Sequence, residues 1–174
     1  MSEHDAHDGL EGPVTTSVGL TLTVAPLGDA QGNLPAIVGE SLLAMLAVFY
    51  PPALCKKANV VITELVQNVI DNVSDPASEM RVDLRINGDA LQVEVTNKVT
   101  PEQFQAVKER IDQLTTATDP KRLFADTLRA RRLQRLRGGL GLIRLVSENR
   151  FRLSASYADE HLTMQAVFPL RGAQ

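Results

Sequence analysis

The chain has no tryptophan, a single cysteine, and aromatic residues amounting to only 4% of its length. Its core must therefore be built from Leu, Val, Ile and Ala. One thiol, Cys55, excludes an internal disulfide framework and reads as a buried structural cysteine in a reducing cytoplasm. Long apolar runs are also missing. The longest, Leu42 to Tyr50, falls well short of the roughly 20 residues a membrane-spanning helix needs. The first residues, Met1 to Gly12, are acidic and polar, without the basic-then-apolar order of a signal peptide. Neither sign of charge dominates: the net charge is −3, which argues against a general nucleic-acid binder.

What is present is ordinary for a globular protein, with 44% hydrophobic and 22% charged residues over 174 positions, enough for one domain with a sizeable core. We expect residues 1–12 to form a disordered leader, in which His4, Asp5, His7 and Asp8 make at most a loose metal site, and residues 13–170 to form one domain. Alternation in Val18, Leu20, Leu22 and Val24 predicts a strand over Val14 to Val24. Ile37, Leu42, Met45, Leu46 and Phe49 fall at helical spacing over Leu34 to Tyr50, and Pro51-Pro52 stops that helix. A second helix is predicted from about Ala53 to Val73, burying Leu54, Ala58, Val61, Leu65 and Val69.

Two strands follow, Met80 to Ile86 and Leu91 to Val95, joined at Asn87-Gly88, the strongest short hairpin signal. Pro101 to Leu114, Leu123 to Leu136 and Leu142 to Val146 read as helices. Phe151 to Tyr157 and Leu162 to Phe168 read as closing strands. The order predicts an α+β two-layer sandwich, with helices on one face of a mixed, mostly antiparallel sheet.

Two segments carry chemistry. In the second helix, Glu64 and Asn68 stand one turn apart on one face, beside Gln67, Asp71 and Asn72 and away from Val61, Leu65 and Val69. A carboxylate and a carboxamide so placed can set a general base beside a magnesium ligand. A solvated polar face is the plainer reading of the pair alone. The second segment is Gly138-Gly139-Leu140-Gly141-Leu142. Glycines there can let backbone N–H groups approach phosphate, or can serve as a hinge or a close-packing point. The run lacks the Lys-Ser/Thr of a P-loop and does not sit in a βαβ unit, so neither a P-loop nor a Rossmann site fits.

In this order the two segments resemble the N box and second glycine box of the GHKL superfamily, the Bergerat-fold ATPases of histidine kinases, DNA gyrase and MutL. Closest in kind are the anti-sigma-factor-type serine/threonine kinases, and among them the SiaB group, through Gln67-Asn68 and the strand end Thr96-Asn97-Lys98-Val99. The resemblance spans roughly Val14 to Phe168 and implies a histidine-kinase-like ATPase fold. It implies that Glu64 is the catalytic base and that Asn68 ligates Mg²⁺. ATP would be bound by Asn68, Asn72, Asn97, Gly138, Gly139, Leu140, Gly141 and Leu142. The first glycine box, Asp-x-Gly-x-Gly, is replaced by Asn97-Lys98-Val99-Thr100-Pro101. Asn97 retains an acceptor oxygen for adenine but loses the charge that strengthens such a bond.

Lys121 to Arg137 carries a net +6, which leaves −9 on the rest of the chain. The resemblance puts it in the ATP lid, with Arg129 to Arg137 over the triphosphate or an acidic partner. The implied activity is phosphorylation of a serine or threonine on a small STAS-type anti-sigma-factor antagonist. A homodimer is left open, and no membrane or nucleic-acid partner is implied. A degenerate GHKL module that holds a partner with little or no nucleotide binding is the rival. No histidine-bearing helix pair precedes the domain, so a conventional sensor histidine kinase is not expected.

Overall fold

The computed structural model describes residues 16–30, 33–134 and 140–170. The leader therefore lies outside the described residues, as do Gly138 and Gly139. Five helices and five strands follow in the order β1 (Val18–Val24), α1 (Leu34–Leu46), α2 (Pro52–Asn72), β2 (Met80–Ile86), β3 (Ala90–Lys98), α3 (Pro101–Thr116), α4 (Pro120–Gln134), α5 (Gly141–Ser147), β4 (Arg152–Ala158) and β5 (His161–Pro169). The strands form one open sheet, ordered β1-β2-β3-β5-β4. The α+β sandwich is as the sequence implies, but the sheet is antiparallel in all four pairings rather than mixed. β2–β3 and β4–β5 return through tight turns, β1 reaches β2 through α1 and α2, and β3 meets β5 in the same antiparallel sense, so no parallel pair arises.

Alternation divides the sheet into a dry face and a wet one. Met80, Val82, Leu84 and Ile86 of β2 face the helices with Leu91, Val93 and Val95 of β3 and Leu162, Met164, Ala166 and Phe168 of β5, all buried. On the other face the polar side chains satisfy one another. Thr21 donates to Asp83 at 2.6 Å, Arg81 donates to the same carboxylate at 2.6 Å, and Gln92 and Gln165 both donate to Glu94. Asp83 is held below the usual carboxylate range, first by the Arg81 hydrogen bond.

Local signals account for most boundaries. Pro51 and Pro52 separate α1 from α2, with α1 ending at Leu46 and residues 47–50 continuing as tight turns instead of helix to Tyr50. Thr100 and Gln103 form a reciprocal capping box at the start of α3, with Pro101 at the first helical position. The β2–β3 turn falls on Gly88-Asp89, one residue later than the Asn-Gly signal implies. Asn87 pairs with Ala90, and its side-chain oxygen accepts from the Asp89 and Ala90 amides at 2.9 Å. The β4–β5 turn uses Asp159 and Glu160, both left-handed at φ 50° and 62°.

α2 is the central helix. It buries Leu54, Cys55, Ala58, Val61, Ile62, Leu65, Val66 and Val69. α1 packs against it at Gly39, where a Cβ would lie 2.3 Å from Asn59 Oδ1 and 2.5 Å from Thr63 Oγ1. Burial pushes the Cys55 thiol up, in keeping with a structural role. Among the described residues, no helix is long and apolar enough to cross a membrane.

Candidate functional site

A groove of about 240 Å³ opens where α2 faces the start of α5, with α3 along one side. From α2 it takes Glu64, Gln67, Asn68 and Asp71, the four positions that 3.6-residue spacing puts on one stripe. The turn into α5 supplies Leu140, Gly141 and Leu142. The fold thus brings together the two segments that the sequence singles out.

Glu64 is the most constrained of these side chains. Its carboxylate lies against Gly141, where an ideal Cβ would fall 2.0 Å from Glu64 Oε2. Its Oε1 stands 3.6 Å from Arg144 Nη1, and Arg144 also reaches Glu148 at 3.4 Å. Burial raises the Glu64 pKa above the ordinary 4.5, and the Arg144 guanidinium only partly opposes that shift. A partly buried carboxylate whose pKa is raised by burial, still reaching solvent at 24% exposure, is a better proton acceptor than an ordinary glutamate.

Asn68 is turned so that its Nδ2 donates to Met164 Sδ at 3.2 Å. Among the described residues its Oδ1 has no hydrogen-bond partner. Gln67 donates to Asp71 at 2.7 Å, which fixes the far end of the stripe. Asn72 stands apart from this groove. It caps the end of α2 by donating to the Asn68 carbonyl, and its own carbonyl accepts from Gln103.

Asn97 occupies the fourth inward position on β3, between Met80 and Leu162 on the flanking strands. It is 2% exposed, its Nδ2 donates to the Lys98 carbonyl, and its Oδ1 is buried with no partner. Asn97 also lines a small cavity of about 10 Å³, together with Asn68, Asn72, Val99, Gln103 and Leu162. A space of that size suits about one water molecule and no heterocycle.

Comparison of the chain with protein-family models and with characterised proteins returns no match.

Two groove residues are not among the sequence candidates. Arg144 follows Gly141 by three positions and so shares its face of α5. Arg110 of α3 lies between Val107 and Leu114 on that helix's inward stripe and lines the same groove. Helical periodicity applied to the charged residues, and not only to the apolar ones, would have found both. With Glu64 and Asp71 they give two cations and two anions, so the groove is not a simple basic funnel. Of the basic segment, Arg129 reaches Asp126 at 3.6 Å on the exposed surface of α4. The side chains of Arg131, Arg132, Arg135 and Arg137, on which the lid assignment rests, lie outside the described residues.

The contact at Gly141 makes a testable coupling. Gly141→Ala must swing the Glu64 carboxylate away from α5 and part it from Arg144. Because the crowded atoms are the far end of a flexible side chain, the effect on stability should be small. Once turned to solvent, Glu64 should titrate in the ordinary carboxyl range, lower than in the parent protein. An unchanged Glu64 titration in that variant, followed by NMR, would contradict the packing described.

Proposed function

We propose that this is an ATP- and Mg²⁺-dependent serine/threonine protein kinase of the cytoplasm, with a GHKL-like site. Its substrate would be a small STAS-type regulatory partner in a switching pathway. The observation that carries the reading is the meeting of Glu64 and Asn68 with the Leu140-Gly141-Leu142 turn in one groove.

The residues fit a magnesium phosphate better than they fit a nucleobase. Among the described residues, no cluster of three or more His, Cys, Asp or Glu could hold a metal by itself. Mg²⁺ does not need one, since it usually keeps several waters and takes one or two protein ligands together with phosphate oxygens. Asn68 has a side-chain oxygen to offer, and Glu64 and Asp71 nearby would repel phosphate without a divalent cation between them. ATP with Mg²⁺ would supply the phosphoryl group. Gly141 leaves space for close backbone approach, Arg144 offsets negative charge, and Glu64 takes the proton from the attacking hydroxyl. Positioning and charge neutralisation are most of what phosphoryl transfer asks of a protein.

The small cavity at Asn97 favours a second reading, a partner-binding module with weak or absent nucleotide binding. A base could reach that oxygen only if the walls around Val99 and Leu162 moved apart. Thermal unfolding separates the two. Ligand at a hundred times its dissociation constant stabilises the folded state by about 2.7 kcal/mol. We expect ATP with Mg²⁺ to raise the unfolding temperature of the parent protein. Asn68→Ala should lose that rise in Mg²⁺ and behave like the parent in chelator. A parent protein that ATP and Mg²⁺ leave unchanged would favour the binding module.

A further inference from the structure

On the reading above, the groove at Glu64 and Asn68 takes phosphates, but the cavity of about 10 Å³ at Asn97 takes no heterocycle. The base is left without a place. A second cleft lies beside the groove, between α3, α4 and α5, with a volume of about 380 Å³. That volume falls in the ~300–1,000 Å³ range of small-molecule sites. Helix α5 is the partition: Leu142 lines the groove and the next residue, Ile143, lines the cleft. Arg110 of α3 lines both.

The cleft has an apolar floor and a polar rim, the usual make-up of a site for a flat ring. Leu114 and Ile143 are buried, and Leu123 of α4 is half-buried beside them. Glu109 and Gln113 of α3 and Thr127 of α4 stand at the rim. Thr127 already donates to the Leu123 carbonyl, and Glu109 already accepts from Gln105. Gln113 makes no side-chain hydrogen bond among the described residues, so its carboxamide has both a donor and an acceptor to give. A glutamine amide matches the amino and ring-nitrogen edge of adenine with one donor and one acceptor side by side. Along α3 the cleft runs from Ala106 to Leu114, roughly 12 Å at 1.5 Å per residue, long enough for a base and its sugar.

We propose that this cleft receives the base of the nucleotide whose phosphates lie in the Glu64 groove. Gln113 reads the base edge, and Arg110 stands at the junction where the phosphate chain meets the nucleoside. The inference rests on the ATP reading given above and moves the base from the Asn97 cavity to the α3–α4 cleft. The charges agree with this placement. Arg110 and Arg144 then flank the phosphates, which the planar fork of a guanidinium suits. Arg110 is the one basic residue lining the cleft among the described residues, and it lies at the groove end.

Methyl and amide NMR with two ligands tests the site. In Mg²⁺, ATP should move the methyl resonances of Leu114, Leu123 and Ile143 through the ring current of the base, and the Gly141 amide through its phosphates. Inorganic tripolyphosphate in Mg²⁺ should move the Gly141 amide and leave the three methyls in place. Gln113→Ala should weaken ATP by about two- to tenfold, the worth of one hydrogen bond, and leave tripolyphosphate affinity unchanged. Ala106→Trp, at an exposed position, should fill the cleft and bring ATP affinity down toward that of tripolyphosphate. ATP-induced shifts that fall on Val99 and Leu162 would put the base at Asn97 and overturn the proposal. Cleft variants that weaken both ligands equally, or neither, would also overturn it. ATP that binds no tighter than tripolyphosphate would remove the base site and leave the phosphate groove standing. Failure of both ligands to bind would remove the groove reading and this inference together.

Discussion

Under the proposed kinase reading, Glu64→Gln should lower phosphoryl transfer to the partner by about 10²–10⁴-fold, the usual contribution of general-base catalysis, while leaving nucleotide affinity nearly unchanged. Glutamine keeps the shape that fills the space beside Gly141 but cannot accept the proton. The same change should alter stability with a definite pH dependence. Burial raises the Glu64 pKa in the folded state above the ordinary 4.5, with Arg144 only partly offsetting it. Below the ordinary value the group is protonated whether the chain is folded or not, and the fold bears no cost. As pH rises through the elevated folded value, the buried carboxylate ionises and destabilises the native state. Glu64→Gln should therefore raise the unfolding temperature at neutral pH, and the gain should vanish below the ordinary carboxyl value. A variant that binds nucleotide less in proportion to its lost transfer would make Glu64 a ligand-positioning group and not the base. A variant that melts like the parent at every pH would refute the burial cost.

Leu145→Ala should damage the fold strongly. Leu145 is fully buried on α5, and truncation of such a leucine costs about 2–5 kcal/mol, a large part of the roughly 5–15 kcal/mol that holds a domain together. Its position makes the loss local as well as global. α5 has seven residues, too few for a helix to persist without tertiary support, and Leu142, Ile143 and Leu145 are the large apolar side chains it buries. Loosening them should free Gly141 and Arg144, and with them the carboxylate of Glu64. In urea the midpoint should fall with little change in slope. A loss under about 1 kcal/mol would mean that neighbouring side chains close the cavity, and that α5 is held by something other than its core contacts.

Much of this is legible in the residues. Alternation in Met80 to Ile86, the Pro51-Pro52 stop and the buried stripe of α2 define the main elements and their order, because each reports local geometry. The meeting of Glu64 with Gly141 is not legible from spacing; only the GHKL resemblance anticipates it, since only tertiary packing joins distant segments. α1 is half legible. Its apolar spacing predicts a helix, but one sequence cannot say which of two apolar stripes turns inward; Val38 and Leu42 do, while Ile37 and Met45 do not. Asn97 stands out as a candidate acceptor, yet its burial with an unmet oxygen depends on the strands beside it. Arg110 and Arg144 escape a sequence reading because surface charge on a helix is common, and only the fold shows which charges face a groove.

The contact between Glu64 and Gly141 also bears on how the sequence could drift. The two positions are remote in the chain but compete for one volume, so the effect of a change at either depends on the residue at the other. Alanine at 141 is acceptable beside a side chain shorter than glutamate at 64. Glutamate at 64 keeps its place against the turn only while residue 141 is glycine. The two positions therefore vary as a pair, and a lineage that shortens the side chain at 64 loses the constraint on residue 141.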